Sequence, residues 1–268
     1  MPHNENINIA LVESDIKWCD KEANINELEA RLVQCGREAD IVVLPELFST
    51  GYVTNDDETI ANLAEKNTGY TISKLLILAK KHGIAIAGSY IAKTLNKAYN
   101  RGFIIEPSGD ETYYDKHHLF TMAGEDKYYT IGKNVPPVLR YRGWNIMLIV
   151  CYDLRFPEWC RNVGLKYDVL LVVANWPKSR EYSWKQLLIA RAIENQCYVC
   201  GVNRSGSDGY GIEYGNSSII IDYKGHVISN SESSKNGVIS SSLDLKSLQQ
   251  FREKFPAWRD ADNFTLNL

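Results

Sequence analysis

The chain has 268 residues, 44% of them hydrophobic, and carries a formal net charge of −3. A domain of this size buries roughly three quarters of its unfolded surface, so a substantial core is expected. No long stretch is basic, which argues against partners that need a positive footprint, namely nucleic acid or an acidic membrane surface.

Strand-like and helix-like segments alternate along the chain. Residues 7–12 form a short apolar strand. Over 21–38, Ile25, Leu28, Leu32 and Cys35 recur at helical spacing with charges between them. Residues 41–44 read as a buried strand, 72–82 as a helix stopped by Gly83, and 84–91 as a strand. Residues 101–106 and 111–115 make a hairpin around Pro107-Ser108-Gly109-Asp110. A strand over 145–150 is followed by a short helix that Pro157 opens. Then come a strand (169–174), a helix (182–195) and a strand (198–202). A second hairpin pairs 217–222 with 226–229, and 245–255 forms the last helix. No low-complexity linker or internal repeat interrupts the series. Continuously apolar strands imply sheets covered by helices, and the hairpins make those sheets mixed. One α/β domain spanning 1–268, with a core over about 7–258, is expected.

Met1 to Asn6 lack the basic and apolar regions of a secretory signal, and runs such as Val169–Ala174 fall far short of the about 20 residues that span a bilayer. A cytoplasmic protein is therefore expected. There thiols stay reduced, so the six cysteines do not imply disulfides. Cys197 and Cys200 are three apart on a strand and point to opposite faces, which suits two small core residues better than a metal or redox pair.

Three short segments carry candidate chemistry. In Val42-Val43-Leu44-Pro45-Glu46-Leu47 a carboxylate follows a buried strand directly, where the proline turns the backbone; alone, it reads as an ordinary loop glutamate. In Tyr114-Asp115-Lys116-His117-His118-Leu119 a lysine follows an alternating strand; alone, it reads as a solvated cation. The neighbouring histidines would point apart on an extended chain, and no ligand spacing supports a metal. In Leu148-Ile149-Val150-Cys151-Tyr152-Asp153 a cysteine stands where a strand gives way to a polar turn, a position that exposes a side chain on a firmly held backbone. Alone, it reads as a core cysteine at a strand end.

Taken in chain order, these segments resemble the nitrilase superfamily, the carbon–nitrogen hydrolases with a Glu-Lys-Cys triad. The resemblance extends from Ile7 to about Trp258. It rests on Leu-Pro-Glu-Leu-Phe at 44–48, Asp-Lys-His-His-Leu-Phe at 115–120 and Cys-Tyr-Asp-Leu-Arg-Phe-Pro-Glu at 151–158. Ala-Arg-Ala-Ile-Glu-Asn-Gln at 190–196 and Gly-Asn-Ser-Ser at 215–218 also fit. Thr50-Gly51-Tyr52, Met122-Ala123-Gly124-Glu125 and Ala174-Asn175-Trp176-Pro177 are similar to the bacterial ω-amidase branch. The resemblance implies a four-layer α-β-β-α sandwich, usually dimerising through its helices, and a cofactor-free amidase that acts on a small-molecule amide.

By that resemblance Cys151 is the nucleophile, Glu46 the proton shuttle and Lys116 an ammonium that favours the thiolate and holds the oxyanion together with the backbone N–H of Tyr152. Glu125, in a loop where a solvated charge would be the default, is implied as a second active-site glutamate. An ω-amidase takes short dicarboxylic monoamides such as 2-oxoglutaramate, and a guanidinium suits the free carboxylate. Arg180 is the first candidate, with Arg155 and Arg204 as alternatives, although Arg155 reads more readily as a structural ion pair with Glu158 or another carboxylate beside the nucleophile turn. Tyr52 and Trp176 are candidate pocket walls. The other readings are an amidase for N-carbamoyl compounds or deaminated peptides, a nitrilase, a Cys-His protease using His3, His82, His117, His118 or His226, and a non-catalytic binding module.

Overall fold

The computed structural model describes residues 5–35, 39–262 and 264–268. Its first half runs β1 (Asn6–Val12), α1 (Lys21–Cys35), β2 (Ile41–Val43), α2 (Asp57–Leu63), α3 (Tyr70–His82), β3 (Ala85–Thr94), β4 (Lys97–Ile105), β5 (Glu111–Asp115) and the one-turn α4 (Glu125–Tyr128). Next come β6 (Val138–Tyr141), β7 (Trp144–Val150), α5 (Pro157–Cys160), β8 (Val169–Ala174), α6 (Glu181–Asn195) and β9 (Tyr198–Asn203). The chain closes with the two-residue β10 (Gly206–Ser207) and β11 (Glu213–Tyr214), then β12 (Ile219–Ile221), β13 (Val227–Asn230), β14 (Val238–Asp244) and α7 (Leu245–Lys254).

Two six-stranded mixed sheets carry the molecule, ordered β14-β1-β2-β3-β4-β5 and β13-β12-β9-β8-β7-β6. Parallel trios lie at their centres (β1, β2, β3 and β7, β8, β9), flanked by antiparallel strands. Alternation sorts the first sheet's side chains. Ile9, Leu11, Val43, Ala87 and Ile104 face the second sheet, while Ala10, Val12, Val42, Leu44 and Ile86 face α1 and α3. The second sheet packs its outer face on α6, through Trp184, Leu188 and Ala192. Helix, sheet, sheet and helix therefore form the four expected layers. Glycine permits two close approaches: a Cβ at Gly102 would lie 2.5 Å from Leu148 between the sheets, and one at Gly201 would lie 2.5 Å from Leu188 under α6. No helix of the described residues is long and apolar enough to cross a membrane.

Several elements depart from the sequence reading. β14 pairs with β1 along its whole length, yet its Val-Ile-Ser-Ser-Ser-Leu-Asp sequence conceals a period of two behind a serine run; only Ile239 and Leu243 are fully buried. β6 is a short edge strand with little buried surface, and α2 is a seven-residue helix capped by Asp56. α1 is described as far as Cys35; residues 36–38, expected in that helix, lie outside the described residues, as does His3. Cys197 and Cys200 are fully buried core residues.

Candidate active site

The site lies where strands of both sheets end. Beyond β2, Leu44 and Pro45 lead into a turn in which Leu47 N–H donates to Ser89 Oγ at 2.8 Å and Phe48 N–H to the Ser89 carbonyl at 3.2 Å. That fixture presents Glu46, which is fully buried. Lys116 follows β5 directly. Its N–H donates to the Asn100 carbonyl and its carbonyl accepts from Gly132, each at 2.9 Å, so the extended backbone continues one residue past the strand. Cys151 follows β7 and opens a 3₁₀ turn over Cys151–Arg155, with φ at +47°. A non-glycine residue there is held by its surroundings rather than by preference.

These groups converge. Lys116 Nζ donates to Glu46 Oε1 at 2.9 Å and to both oxygens of Glu125, at 3.0 and 2.9 Å. Glu125 sits at the start of α4, and its Oε2 accepts from Phe120 N–H at 2.6 Å. The carboxylate is fully buried, which corrects the solvated default for its loop. Lys116 is likewise 1% exposed rather than a surface cation.

Two asparagines complete the cluster. Asn100 Nδ2 donates to Glu46 at 2.7 Å and to Glu125 at 3.3 Å. The Asn175 backbone N–H donates to Glu46 Oε2 and its Nδ2 to the Glu46 carbonyl, both at 2.9 Å, which ties the two sheets together. The sequence reading gave neither a role. Asn175 carried a usable signal: it directly follows a buried strand, as Cys151 does. Asn100 carried none, being one polar residue inside a strand.

Charge bookkeeping governs the reactivity. Burial alone would lower the Lys116 ammonium, but Glu125 and Glu46 outweigh it and hold the group well above the ordinary lysine range. Burial pushes Glu125 up; Lys116 opposes this and Glu46 adds to it. Burial, and after it the Glu46 charge, also push the Cys151 thiol well above its ordinary value, against the pull of Lys116. One ammonium already faces two carboxylates, so a thiolate would add a further negative charge to a buried cluster. The sulfur keeps its proton until an acceptor takes it.

A cleft opens above this cluster, lined by Glu46, Tyr52, Lys116, Cys151, Asn175 and Trp176 together with Phe120, Tyr152, Arg155, Arg180, Ile212 and Tyr214. Trp176 is buried, and its Nε1 donates to the Arg180 carbonyl at 2.9 Å. The Tyr52 hydroxyl is buried without a hydrogen-bond partner. Burial and the charges of Glu125 and Glu46 raise its pKa well above the ordinary phenol value, so it stays a proton donor.

The Arg180 guanidinium lies over the Phe120 ring at 5.1 Å, and Arg155 lies over Trp176 at 4.8 Å. Neither pairs with a carboxylate among the described residues, which corrects the expected Arg155–Glu158 pair. Arg155 instead reaches Ser183 Oγ at 3.4 Å and turns its cation toward the cleft. Arg204 is fully buried and outside the cleft lining. Its guanidinium is taken up by the carbonyls of Ser205, Ser207 and Ile16, reaches Asp15 Oδ1 at 3.4 Å and stacks over Tyr214 at 4.7 Å.

His117 and His118 do not diverge as an extended chain would require. The backbone leaves the strand direction after Lys116, and their rings meet edge to face at 4.7 Å. His117 stacks on Trp159 and its Nδ1 bonds the Gly132 carbonyl at 2.7 Å; His118 stacks on Phe156 and bonds Asp153. Among the described residues no three His, Cys, Asp or Glu side chains are grouped as metal ligands.

The carbon–nitrogen hydrolase family model matches residues 8–253. The chain is 40% identical to omega-amidase YafV of Escherichia coli K12, over 97% of this chain and 98% of that one. It is 36% identical to 2-oxoglutaramate amidase of Bacillus subtilis, over 94% and 96% of the two chains. A Xanthomonas campestris CN-hydrolase superfamily protein, crystallised with an arsenic adduct in its active site, superposes with a TM-score of 0.92 at 36% identity, covering 98% of this chain and 99% of that one. An amidase from Nesterenkonia shares the fold, with a TM-score of 0.80 at 24% identity and coverage of 94% and 95%.

Proposed function

The chain belongs to the carbon–nitrogen hydrolase family, and on that premise we propose that it is an ω-amidase, releasing ammonia from the terminal amide of short dicarboxylic monoamides such as 2-oxoglutaramate. The observation that carries this reading is one cleft lined by Cys151, Lys116, Glu46 and two guanidiniums that lack carboxylate partners among the described residues, with Glu125 buried behind Lys116.

Cys151 attacks the amide carbon as its proton passes to Glu46, so that the buried thiolate never stands alone. The oxyanion rests on Lys116 Nζ and on the N–H of Tyr152; the first N–H groups of a helical turn have no partner within it. Glu125 holds Lys116 in line and orients the amide nitrogen. Collapse of the tetrahedral adduct breaks the C–N bond, and Glu46 returns its proton to the departing ammonia. A thioester remains on Cys151. Glu46 then takes a proton from a water that attacks this thioester, and the expelled sulfur recovers that proton. Arg180, with Arg155 beside it, receives the distal carboxylate, and Trp176 and Tyr52 wall the acyl chain.

The same reading makes the enzyme a cytoplasmic homodimer. On α6, Tyr182 and Ile193 are 79% and 52% exposed, and their spacing of three helical turns puts them on one stripe that a second copy would cover.

Ammonia release from a panel of small amides, nitriles and N-carbamoyl compounds tests the reading. Activity concentrated on 2-oxoglutaramate and 2-oxosuccinamate is expected. Preference for an N-carbamoyl compound or a nitrile, or silence across the panel with an intact fold, would overturn it.

A further inference from the structure

Asp153 is fully buried, one turn away from the reacting groups and outside the cleft lining. Its Oδ2 accepts from the Tyr114 hydroxyl at 2.8 Å and from Val150 N–H at 3.2 Å. Its Oδ1 accepts from His118 N–H at 3.0 Å and meets His118 Nδ1 at 2.8 Å. Four donors on two oxygens suit a carboxylate, since an amide would bring only one acceptor oxygen.

The placement of those donors is informative. Val150 immediately precedes Cys151 at the end of β7, in one sheet. Tyr114 and His118 flank Lys116, two residues to either side, at the end of β5 in the other sheet. The brace is stiffened from outside: Trp159 Nε1 donates to the Tyr114 oxygen at 2.8 Å, and the His118 ring stacks on Phe156 at 3.7 Å. One buried side chain thus fixes the backbone on which the sulfur sits against the backbone on which the ammonium sits.

Resting on the reading of Cys151 and Lys116 as reacting groups, we propose that Asp153, oriented by His118, is a positioning residue that sets the sulfur-to-ammonium geometry across the two sheets. It does not touch the substrate. Its loss therefore slows the chemical step and leaves substrate binding intact.

Asp153→Asn keeps the shape and removes the second acceptor. A 1 Å misplacement of reacting groups costs about 10²-fold in rate, so kcat is expected to fall by about 10- to 100-fold while KM stays within about threefold. Asp168→Asn is the control. Asp168 is a buried carboxylate that accepts from Asn145 N–H at 2.9 Å and Arg252 Nη1 at 2.6 Å, at the far end of β7. It should lose melting temperature without losing kcat per folded molecule. His118→Phe keeps the stack on Phe156 but removes the Nδ1 donor, and a kcat loss of about 3- to 10-fold at unchanged KM is expected.

Wild-type kcat in folded Asp153→Asn, or a loss matched by Asp168→Asn, would overturn the proposal. If Asp153→Asn fails to fold, His118→Phe decides alone, and an unchanged kcat there overturns it. Cys151→Ala separates the two levels. If that variant still turns over, the nucleophile reading and the brace fall together. If it is inactive while Asp153→Asn and His118→Phe turn over normally, only the brace falls.

Discussion

Replacing Lys116 with methionine keeps the length of the side chain and removes the charge that two buried carboxylates share. Nζ lies 2.9 Å from Glu46 and 2.9 Å from Glu125, and all three side chains are 1% exposed or less. Removing one partner of such a buried group costs about 3–5 kcal/mol, because the survivors are left uncompensated. At roughly 2–4 °C per kcal/mol for a chain near this size, the melting temperature should drop by about 10 °C at neutral pH.

The deficit should depend on pH. In the wild type the lysine's raised folded pKa gives a contribution that is complete below the unfolded value of about 10.4, so it is constant across mildly acid and neutral pH. In the variant Glu125, already pushed up by burial, loses the Lys116 charge that opposes the rise, so its folded pKa climbs further above the unfolded value of about 4.3. The folded state then binds more protons than the unfolded state, and stability falls as pH rises between those two values. Melting followed by circular dichroism should show a smaller deficit at about pH 5 than at about pH 8. Loss of an oxyanion donor should also lower kcat by about 10²–10³-fold. A melting temperature unchanged at the higher pH, or a deficit equal at both, would refute the charge-sharing picture.

Three further outcomes follow from the same geometry. Arg180→Lys and Arg155→Lys should raise KM for 2-oxoglutaramate by about tenfold, the equivalent of about 1.4 kcal/mol of bidentate carboxylate binding, with little change for an uncharged short amide; equal effects on both substrates would remove the carboxylate role. Tyr52→Phe deletes a buried hydroxyl that has no partner, so stability in the substrate-free enzyme should be unchanged or up to about 1–2 kcal/mol higher by urea unfolding, and a loss would show a hidden bond. Ile193→Lys places a charge on the exposed stripe of α6 and should shift the sedimentation of a dimer to that of a monomer, whereas unchanged sedimentation would move the interface elsewhere.

Covered sheets were legible in strands such as 146–150 and 169–174, which are continuously apolar, and the four-layer order only through the family resemblance. β14 was not, since a run of three serines erased its alternation and its pairing with β1 spans more than 220 residues of sequence. Within the site, Glu46, Lys116 and Cys151 each follow a strand, but alone each reads as an ordinary residue, and only their order in the chain with the family resemblance singles them out. The roles of Arg155 and Arg204 could not be read, because a guanidinium's partner is decided by tertiary packing: Arg204 lies among backbone carbonyls and Arg155 over an indole. The charge balance could not be read either: only the fold shows that Glu46 and Glu125 both bond to the Lys116 ammonium.

The whole picture depends on the sulfur of residue 151 being the atom that attacks. Ammonia release from 2-oxoglutaramate by Cys151→Ala, measured beside the wild type at matched folded fraction, tests this most directly. Turnover should be lost, by at least about 10³-fold, with the melting temperature kept within a few degrees. Turnover near the wild-type rate would contradict it.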